Sequence, residues 1–589
     1  MALSPPGDVR PAMREGLSLI KKILIRDFGL PASFALPDIV LLNRIAGLDR
    51  TDQLIIDGRQ FGTLSFDPAS RQYTIAPTGA GAAMLLNAGA RRLKFARPPG
   101  QRHLKGKTVR RAELGPVGQE ANIGSEVIVA SGSFAAVGKI IESGLRIRDL
   151  APAAIRFSGI RATLDDAVEA NRDALQALED IAVREIGSVL SDRPRLPLTV
   201  SFSGGKDSLV ALELAKRTGR ELSVLFSNTG LEFPETVTHI RELARRENLR
   251  LVEKGAGRAF WENLPRFGIP AKDFRWCCKV CKLAPMTDLL QENFPGGVLT
   301  VEGRRRRESF ARQGIGLVEE SPFVPGQVNI EPLREWTALE IWLYIRWRRL
   351  AYNPLYDDDM ERVGCWLCPA ALESEFETLK RTHPQLHERW RKALAAEGRK
   401  AGLGERALAL GLWRWKVLPP KMRELARSVR PEQRAIASAG APALTVASGI
   451  APCLTGGYTL DARLSLPRQP PLGAVANILG TLGEVRCSDE LGVAIVRRGA
   501  ETAKLFESGQ IVVTGPGPAA VSSLLRDVVG AVLRAGQCSR CGICARTCPS
   551  KAIRVREAPE ADLSRCTRCG KCAQGCVVVH YADKLLRGA

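Results

Sequence analysis

The sequence has no apolar run long enough to cross a membrane, and it has only five histidines. A membrane-spanning helix needs about 20 consecutive apolar residues. Lys21, Lys22 and Arg26 interrupt the first apolar segment, which argues against a signal peptide. We therefore expect a soluble, cytoplasmic protein. Because His239, His383 and His387 lie in segments with a helical pattern, we do not expect histidine acid–base catalysis.

Acidic residues are scarce relative to basic ones. The chain has 63 Asp and Glu against 85 Lys and Arg, a formal net charge of +22. The stretch from Arg91 to Arg111 holds nine Lys or Arg and no acidic residue. This excess makes polyanions, including nucleic acids, candidate partners. A solvated basic loop explains the same stretch equally well.

Isolated cysteines are nearly absent. Of 15 cysteines, eight fall in the last 52 residues and five fall in two tight groups in the middle of the chain, so that only Cys453 and Cys487 stand alone. Without an export signal, disulfides are not expected. Clustering of this kind indicates metal binding.

A chain of 589 residues is too long for one core. We expect a multidomain α/β protein, whose central domain has a parallel sheet with helices on both faces. The predicted units are a small α/β unit at 1–90, a basic β-barrel at 91–165, the central domain at 180–395, a basic helical segment and linker at 396–450, a small α/β unit at 455–530 and a cysteine-rich α+β domain at 531–589.

Local patterns support these units. The first has predicted strands at Leu54–Ile56, Thr63–Phe66 and Tyr73–Ile75, with Asp57-Gly58 as a turn. In the second, glycines separate short strands at Glu126–Val129 and Ala135–Ile141. The order of these strands resembles the PUA family of RNA-binding domains, and an unrelated barrel remains an alternative.

The central domain shows an alternation of strands and helices. Leu198–Phe202 and Ser223–Phe226 are predicted strands, and Ser208–Arg217 and Glu235–Glu247 are predicted helices. The small-residue segment Ala437–Ala451 is predicted to be a linker.

A phosphate-binding loop lies between the first of these strands and its helix. Ser203–Ser208 reads Ser-Gly-Gly-Lys-Asp-Ser. Glycines let the backbone approach a ligand closely, and the amides at a helix N-terminus attract anions. Lys206 and the hydroxyls of Ser203 and Ser208 add donors. The distance from glycine to lysine is too short for a Walker A loop.

The loop resembles the PP-loop of ATP pyrophosphatases and of the phosphoadenylyl-sulfate (PAPS) reductase family. Ser227–Thr236 follows the second strand, where that family has Asp-Thr-Gly and Pro-Glu-Thr elements, and Gly303–Arg312 fits its Gly-x-Arg-x-x-Glu-Ser-x-x-Arg element. Glu331–Leu333, Trp336-Thr337 and Asn353–Tyr356 resemble its later signatures. The match covers about 200 residues in the family's order.

The resemblance implies a site for ATP or an adenylyl sulfate, with Mg²⁺. The loop would hold the phosphates or sulfate, Asn228–Gly230 would lie near the adenosine, and Arg305 and Arg312 would clamp anionic oxygens. A solvated charge run is the alternative for Arg304–Arg307. The residues expected to bind the nucleotide are Ser203, Gly204, Gly205, Lys206, Asp207, Ser208, Asn228, Thr229, Gly230, Arg305, Ser309 and Arg312. Those expected to act in catalysis are Lys206, Asp207, Ser208, Arg305 and Glu308.

Five central cysteines form two groups. Cys277, Cys278 and Cys281 precede the pair Cys365 and Cys368. Distant Cys-x-x-Cys elements are a strong metal signal, because four thiolates must converge on one centre. A zinc site would use Cys278, Cys281, Cys365 and Cys368. Resemblance to the cluster-binding members of the family favours a [4Fe–4S] cluster on Cys277, Cys278, Cys365 and Cys368. Cys281 is then a spare ligand, a reactive thiol or a packing residue.

The last cysteines form the bacterial ferredoxin run, Cys-x2-Cys-x2-Cys-x3-Cys, twice. In this pattern the fourth cysteine of each run ligates the other cluster. One [4Fe–4S] cluster is therefore expected on Cys538, Cys541, Cys544 and Cys576. The second is expected on Cys566, Cys569, Cys572 and Cys548. Such clusters move single electrons.

Three functions fit these motifs. The complete loop resembles that of family members that attack the α-phosphate of ATP, and this resemblance implies adenylation of an acceptor with subsequent sulfur transfer. tRNA or another nucleic acid is a candidate acceptor, and Trp413–Lys416 would suit a single strand unless its tryptophans pack in a core. The second function is ferredoxin-coupled reduction of adenylyl sulfate or PAPS to sulfite. The thiol-dependent reductases of the family use a catalytic cysteine in a C-terminal Glu-Cys-Gly segment, and no such segment follows Cys368 before the ferredoxin runs. The third is a non-catalytic, nucleotide-binding iron–sulfur scaffold. The sulfur source and electron donor are not indicated.

Overall fold

The computed structural model describes residues 7–94, 104–114, 122–131, 133–309, 312–321, 324, 326–416, 418–427, 443–450, 458–466 and 469–588. Cys453, Gly132 and residues 95–103 of the basic stretch lie outside the described residues. Among the described helices, none is both long enough and apolar enough to span a bilayer.

The first unit is an antiparallel sheet whose five strands pair in chain order. These strands are Val9–Pro11, Val40–Arg44, Thr51–Ile56, Arg59–Asp67 and Gln72–Pro77. Asp57 and Gly58 both have positive φ, as a tight Asp-Gly hairpin requires. Helices Arg14–Phe28 and Gly79–Asn87 complete the unit.

The second unit is a five-stranded sheet in the spatial order Leu93–Lys94, Glu126–Ser131, Phe134–Ile141, Gly144–Pro152 and Thr108–Arg110. Its two end strands are short and do not pair with each other within the described residues, so this sheet is open where a barrel was expected. Helix Gly79–Asn87 packs on it, and Ile128, Ala135 and Val137 belong to the core of the first unit. The two units therefore share one core across residue 90.

The central domain is a six-stranded sheet covered by helices. In spatial order its strands are Arg250–Gly255, Leu222–Asn228, Leu198–Ser201, Val298–Val301, Gln327–Ile330 and Val318–Glu320. The last strand is antiparallel, so the sheet is mixed and the expected all-parallel sheet is wrong at this edge. Val318–Glu320 comes shortly before Gln327–Ile330 in the chain, and two strands joined by a short connection can pair antiparallel without a crossover helix. The associated helices are Leu164–Ala170, Arg172–Asp192, Lys206–Lys216, Pro234–Arg246, Ala259–Phe267, Trp276–Cys278, Ala284–Asn293 and Ala338–Trp347.

A helical segment connects this domain to the C-terminal units. Its helices are Glu373–Thr382, Pro384–Lys400, Glu405–Ala409 and Pro420–Arg427. Trp413 and Arg414 are buried here, and the Arg414 guanidinium donates to Asp49 of the first unit at 3.2 Å. Trp413–Lys416 thus holds the first unit against the helical segment.

The next unit is a six-stranded antiparallel sheet in the order Ala443–Ile450, Tyr458–Ser465, Gln510–Gly515, Glu501–Phe506, Val493–Arg498 and Glu484–Ser488. The expected linker Ala437–Ala451 is wrong over its second half, because Ala443–Ile450 pairs along its whole length with the next strand. Small residues such as Ala443 and Gly449 do not prevent a strand when the partner strand supplies the hydrogen bonds. Helices Leu472–Leu479 and Pro518–Gln537 pack on one face.

The cysteine-rich unit follows helix Pro518–Gln537 without a linker. It has a two-stranded sheet, Ile553–Val555 with Pro559–Ala561, and helices Ile543–Arg546, Lys571–Gln574 and Val577–Gly588. The last helix packs against Pro518–Gln537. A continuous apolar core joins both C-terminal units to Phe260 and Trp276 of the central domain.

Candidate functional site

The phosphate loop turns sharply between its strand and its helix. Gly204 has φ +73°, and a Cβ there would lie 2.9 Å from Thr236 Cγ2, so a side chain would be both strained and crowded. The Lys206 amide donates to the Tyr356 hydroxyl at 2.9 Å, and the Ser208 hydroxyl donates to the Gly205 carbonyl at 2.9 Å. These bonds fix the loop at the start of the helix.

A chain of alternating charges runs away from this loop. Lys206 Nζ lies 2.6 Å from Asp207 Oδ2, and Arg305 Nε lies 2.5 Å from Asp207 Oδ1. The Arg305 guanidinium then contacts Asp8 of the first unit at 2.8 and 3.0 Å. Asp8 also accepts the amide of Ala338, the first residue of a helix, at 2.7 Å.

Asp207 is ionised throughout the neutral range. Burial would raise the pKa of Asp207, but the adjacent Lys206 and Arg305 outweigh burial and lower that pKa to about 2. Its negative charge in turn holds both cations in place.

Arg305 differs from expectation. It was predicted to clamp anionic oxygens of the ligand, but its side chain is only 2% exposed and is already bonded to Asp207 and Asp8. A buried guanidinium with two carboxylate partners positions those partners, and it has little capacity left for a ligand.

Gly303 allows this arrangement. A Cβ on Gly303 would lie 2.6 Å from the carbonyl carbon of Asp207, so only glycine lets the end of strand Val298–Val301 approach the start of the loop helix. The glycine of the Gly-x-Arg element therefore serves close packing.

The rest of that element faces the same space. Glu308 forms an ion pair with Arg312, and it also accepts the Arg305 amide at 3.3 Å. Burial and the nearby Arg362 lower the pKa of Arg312. Ser309 is exposed beside them.

These groups line a cavity of about 480 Å³ between the first unit and the central domain. Its wall contains nine Lys or Arg but only four Asp or Glu. The cationic residues are Arg10, Arg44, Arg50, Lys206, Arg275, Arg305, Arg307, Arg312 and Arg362. The volume is within the ordinary range for small-molecule sites, and the charge favours an anion.

The sequence patterns did not predict that residues of the first unit line this cavity. Arg10, Arg44 and Arg50 surround the fully buried Asp52, and Arg50 also pairs with Asp359 of the central domain. Burial would raise the pKa of Asp52, but the three arginines hold it well below its usual value. Arg10, Arg44 and Arg50 are far apart or in unrelated local patterns in the sequence, and no local signal joins them.

Asn228–Gly230 lie at the carboxyl end of strand Leu222–Asn228, outside the wall of this cavity. Asn228 donates to Glu253 at 2.9 Å and accepts the Gly230 amide at 3.0 Å. The Thr229 hydroxyl lies 3.4 Å from Cys365 Sγ. This loop therefore contacts the central cysteines directly.

The Cys365 segment is attached to the same loop. Trp366 donates its amide to the Leu231 carbonyl at 2.9 Å, and Glu232 and Cys365 form an isolated antiparallel bridge. Cys277 donates a hydrogen bond to Cys278, which lowers the pKa of Cys278 to about 6. Cys365 and Cys368 are electrostatic neighbours of Cys277, so the structure brings these four thiols together.

Cys281 differs from them in its surroundings. It is buried in the apolar core with Trp276 and Val280, and burial together with the neighbouring Cys278 raises the pKa of Cys281 to about 12. Within the described residues, no three His, Cys, Asp or Glu side chains lie close enough to hold a single metal ion. The five thiols are thus more widely spaced than the ligands of one ion, which bind about 2.0–2.3 Å from it.

Four cysteines of the last unit surround one small cavity of about 20 Å³: Cys538, Cys541, Cys544 and Cys576. Cys548 and Cys572 lie together in a small apolar cluster, while Cys566 and Cys569 follow on an outer loop. The structure thus places the fourth cysteine of the second run beside the first three of the first run.

Both cysteine runs have the same backbone geometry. Arg540 and Arg568 have φ values of +56° and +54°, and their amides donate to Cys538 Sγ at 3.3 Å and Cys566 Sγ at 3.4 Å. The Ala552 amide donates to Cys548 Sγ at 3.2 Å. Amides directed at cysteine sulfur stabilise thiolates, which is the form that binds iron.

Two contacts connect this unit to the central cysteines. Arg546 forms an ion pair with Asp288 of helix Ala284–Asn293. The buried Lys279, next to Cys278, interacts electrostatically with Cys541 and Cys576, and burial lowers the pKa of Lys279 to about 8. Lys279 is therefore a neighbour of both the central thiols and the Cys538 group.

Comparisons with known proteins agree on the central domain. The model of the phosphoadenosine phosphosulfate reductase domain matches residues 197–371. Over 438 residues the chain is 33% identical to protein MJ0973 of Methanocaldococcus jannaschii, covering 72% of this chain and 100% of the relative. It is 31% identical over 185 residues to adenosine 5′-phosphosulfate reductase of Deinococcus radiodurans, covering 31% of this chain and 70% of that enzyme.

Solved structures similar to the chain include phosphoadenylyl-sulfate reductase from Candida auris in its phosphate complex. The match has a TM-score of 0.26 and 21% identity, and it covers 35% of this chain and 97% of that one.

Proposed function

The chain belongs to the phosphoadenosine phosphosulfate reductase family, and we propose that it is an iron–sulfur enzyme that adenylates an acceptor with ATP and then exchanges the activated oxygen for sulfur. The observation that carries this proposal is the complete phosphate loop with its charge chain Lys206–Asp207–Arg305–Asp8. The loop opens on a cationic cavity large enough for a nucleotide.

In this proposal an oxygen of the acceptor attacks the α-phosphorus of ATP. A new P–O bond forms to the acceptor, the bond to the β-phosphate oxygen breaks, and pyrophosphate leaves. A sulfur nucleophile then attacks the carbon that carries the adenylated oxygen, the C–O bond breaks, and AMP leaves. The acceptor's oxygen departs with AMP, and no net oxidation is required.

The residues of the charge chain divide this work. Lys206 stabilises negative charge on the phosphates, and the Ser208 hydroxyl, bonded to the Gly205 carbonyl, holds the shape of the loop. Asp207 holds Lys206 in place and would provide a carboxylate for Mg²⁺, a cation that prefers carboxylate and phosphate oxygens. Arg305 and Asp8 position Asp207 from the other side. Arg312, paired with Glu308, provides a further guanidinium in the wall of the cavity.

The cysteines fit iron–sulfur clusters by their donor set and by the amides directed at their sulfurs. Cys277, Cys278, Cys365 and Cys368 would hold one cluster. The ferredoxin-like cysteines would hold two more, on Cys538, Cys541, Cys544 and Cys576 and on Cys548, Cys566, Cys569 and Cys572. When bound, such clusters supply one-electron transfer.

A second candidate is reduction of adenylyl sulfate or PAPS to sulfite. Lys279 is an electrostatic neighbour of Cys278, Cys541 and Cys576, and this favours reduction because an electron path toward the nucleotide loop would run through that region. The contact between Thr229 and Cys365 brings that loop close to the same thiols.

A substrate screen separates these functions. Protein purified without oxygen is assayed for iron and sulfide, then for pyrophosphate release from ATP in the presence of tRNA and for sulfite formation from adenylyl sulfate and PAPS under a reductant. We expect pyrophosphate release that depends on the acceptor. Sulfite formation without pyrophosphate release would establish the reductase instead, and nucleotide binding without either product would establish a scaffold.

A further inference from the structure

The two cysteine runs of the last unit differ in burial. In the first run, Cys538 and Cys544 are buried, and Arg546 ties the run to the central domain through Asp288. In the second run, Cys569 is exposed and every residue from 562 to 571 except Cys566 is exposed. The second run therefore reaches solvent through residues 562–571, although its Cys572 is buried like Cys538 and Cys544 of the first run.

The exposed run carries a basic surface around an apolar residue. We define the docking patch as Leu563, Arg565, Arg568 and Lys571. Leu563 is 47% exposed, which makes it one of few large apolar side chains exposed among the described residues. The three cations directly neighbour Cys566, Cys569 and Cys572 in the sequence.

The patch has a rigid base. Arg568 Nε donates to the Gly480 carbonyl at 3.4 Å, and Leu563 packs over Gly480, where a Cβ would lie 2.6 Å from Leu563 Cδ1. Asn477 forms two hydrogen bonds with Ala561, at 3.0 and 2.7 Å. A surface held in this way loses little conformational freedom when a partner binds.

The positive charge of the patch is largely uncompensated. Within the described part of the chain, no carboxylate forms an ion pair with Arg568 or Lys571. The nearby Asp562 accepts two hydrogen bonds from Ser564 and interacts electrostatically with Arg565. The basic residues of the buried run are paired instead, Arg540 with Glu557 and Arg546 with Asp288. Unpaired charge around an exposed apolar residue is the arrangement of a transient interface.

We propose that this patch is the docking surface for an acidic one-electron carrier protein, an inference that rests on the iron–sulfur part of the proposed function. Each encounter moves one electron from the carrier to the chain, so the carrier is oxidised by one electron, the chain is reduced by one, and no bond forms or breaks. Entry at the exposed run and exit at the buried run would direct electrons toward the central thiols. Charge complementarity favours an acidic partner, and small interfaces suit such carriers.

The test uses flavodoxin, an acidic flavoprotein, as the probe and the anaerobic holoprotein as its target. Calorimetry measures the dissociation constant at low and at high salt. The combined variant Arg565→Glu, Lys571→Glu should weaken binding about tenfold or more at low salt. A control variant with the same charge change on another helix, Lys421→Glu, Arg423→Glu, should bind as wild type does.

Iron content and bleaching by dithionite, a small reductant that needs no docking, should be unchanged in both variants. Equal weakening by both variants, or an unchanged dissociation constant in the patch variant, would overturn the docking surface. The proposed function would still stand if the protein contains iron and releases pyrophosphate. If the patch variant loses affinity for tRNA but still binds flavodoxin, the patch is a nucleic-acid surface and the docking proposal is overturned. Iron-free protein would refute the iron–sulfur assignment itself and this inference with it.

Discussion

The guanidinium of Arg305 forms two hydrogen bonds with the carboxylate of Asp8, at 2.8 and 3.0 Å. Asp8 belongs to the first unit and Arg305 to the central domain, so this pair joins two units at the phosphate loop. Because Arg305 also holds Asp207, the first unit takes part in shaping the loop. The nucleotide cavity is accordingly a property of both units.

Replacing Asp8 by alanine should therefore affect the loop as well as the interface. The change leaves a buried guanidinium with one carboxylate fewer, which costs about 3 kcal/mol of stability. Thermal unfolding measures that loss, and ATP affinity should fall with it. Asp27→Ala is the matched control, because Asp27 pairs with the half-exposed Arg26, and it should cost less than about 1 kcal/mol. Equal effects of the two changes would contradict a special role for Asp8.

The charge chain also predicts a pH dependence. Because the pKa of Asp207 is lowered to about 2 in the folded state, its contribution is fully present above its ordinary value near 4 and is lost as pH falls from there through about 2. Two pKa units correspond to about 2 to 3 kcal/mol. Unfolding of wild type and Asp207→Asn should therefore differ above pH 4 and converge toward pH 2. A difference that stays constant over this range would contradict the account.

The central cysteines should differ in their effect on iron. Cys278→Ser should remove the iron of one cluster, because Cys278 lies with Cys277 and is an electrostatic neighbour of the later pair. Cys281→Ser should retain wild-type iron, because Cys281 is packed in the apolar core. Iron counting on anaerobic protein distinguishes the two. If Cys281→Ser loses iron while Cys277→Ser keeps it, the ligand set is the one first considered for zinc, which contains Cys281 in place of Cys277.

A buried arginine should set the potential of the ferredoxin-like unit. Arg534 is 3% exposed, lines the cavity of the Cys538 group, and has Nε and Nη2 without acceptors in the described part. Cys544, Cys572 and Cys576 are its electrostatic neighbours. A buried cation stabilises the reduced, more negative cluster.

Arg534→Met should therefore shift the reduction potential of the Cys538 cluster to more negative values, and Arg534→Lys should shift it less. Redox titration followed by electron paramagnetic resonance gives both potentials. Arg526→Met is the control, since Arg526 lies on the same helix but is half-exposed and paired with Asp583. A positive shift, or the same shift in the control, would contradict this role.

Much of the central domain was predictable because its signals are local. Ser203–Ser208 combines glycines, lysine and hydroxyls within six residues, and the strand before it and the helix after it were both expected. The cysteine runs are equally local. The bacterial ferredoxin pattern grouped Cys576 with the first three cysteines of the other run, and these four cysteines line one cavity in the structure.

The rest depends on contacts between distant residues. Asp8 meets Arg305 across 297 positions, and nothing around Asp8 in the sequence indicates that partner. Arg414, within a motif that also suited nucleic acid, is buried against Asp49. Arg534 lies on the buried face of the amphipathic helix Pro518–Gln537. Sequence patterns place a charged residue such as arginine in solvent. Charges that become buried through tertiary packing leave no periodic signal.

The most direct measurement is pyrophosphate release from ATP by wild type and Lys206→Met, assayed without oxygen and with tRNA as the first acceptor. Lys206 lies at the loop in contact with Asp207, and Lys216 lies at the far end of the same helix, paired with Glu213 and Glu247. The account predicts release by wild type and Lys216→Met and a loss of about a hundredfold or more in Lys206→Met. Equal release by Lys206→Met and wild type, or sulfite formation with no pyrophosphate from any of the three, would contradict it.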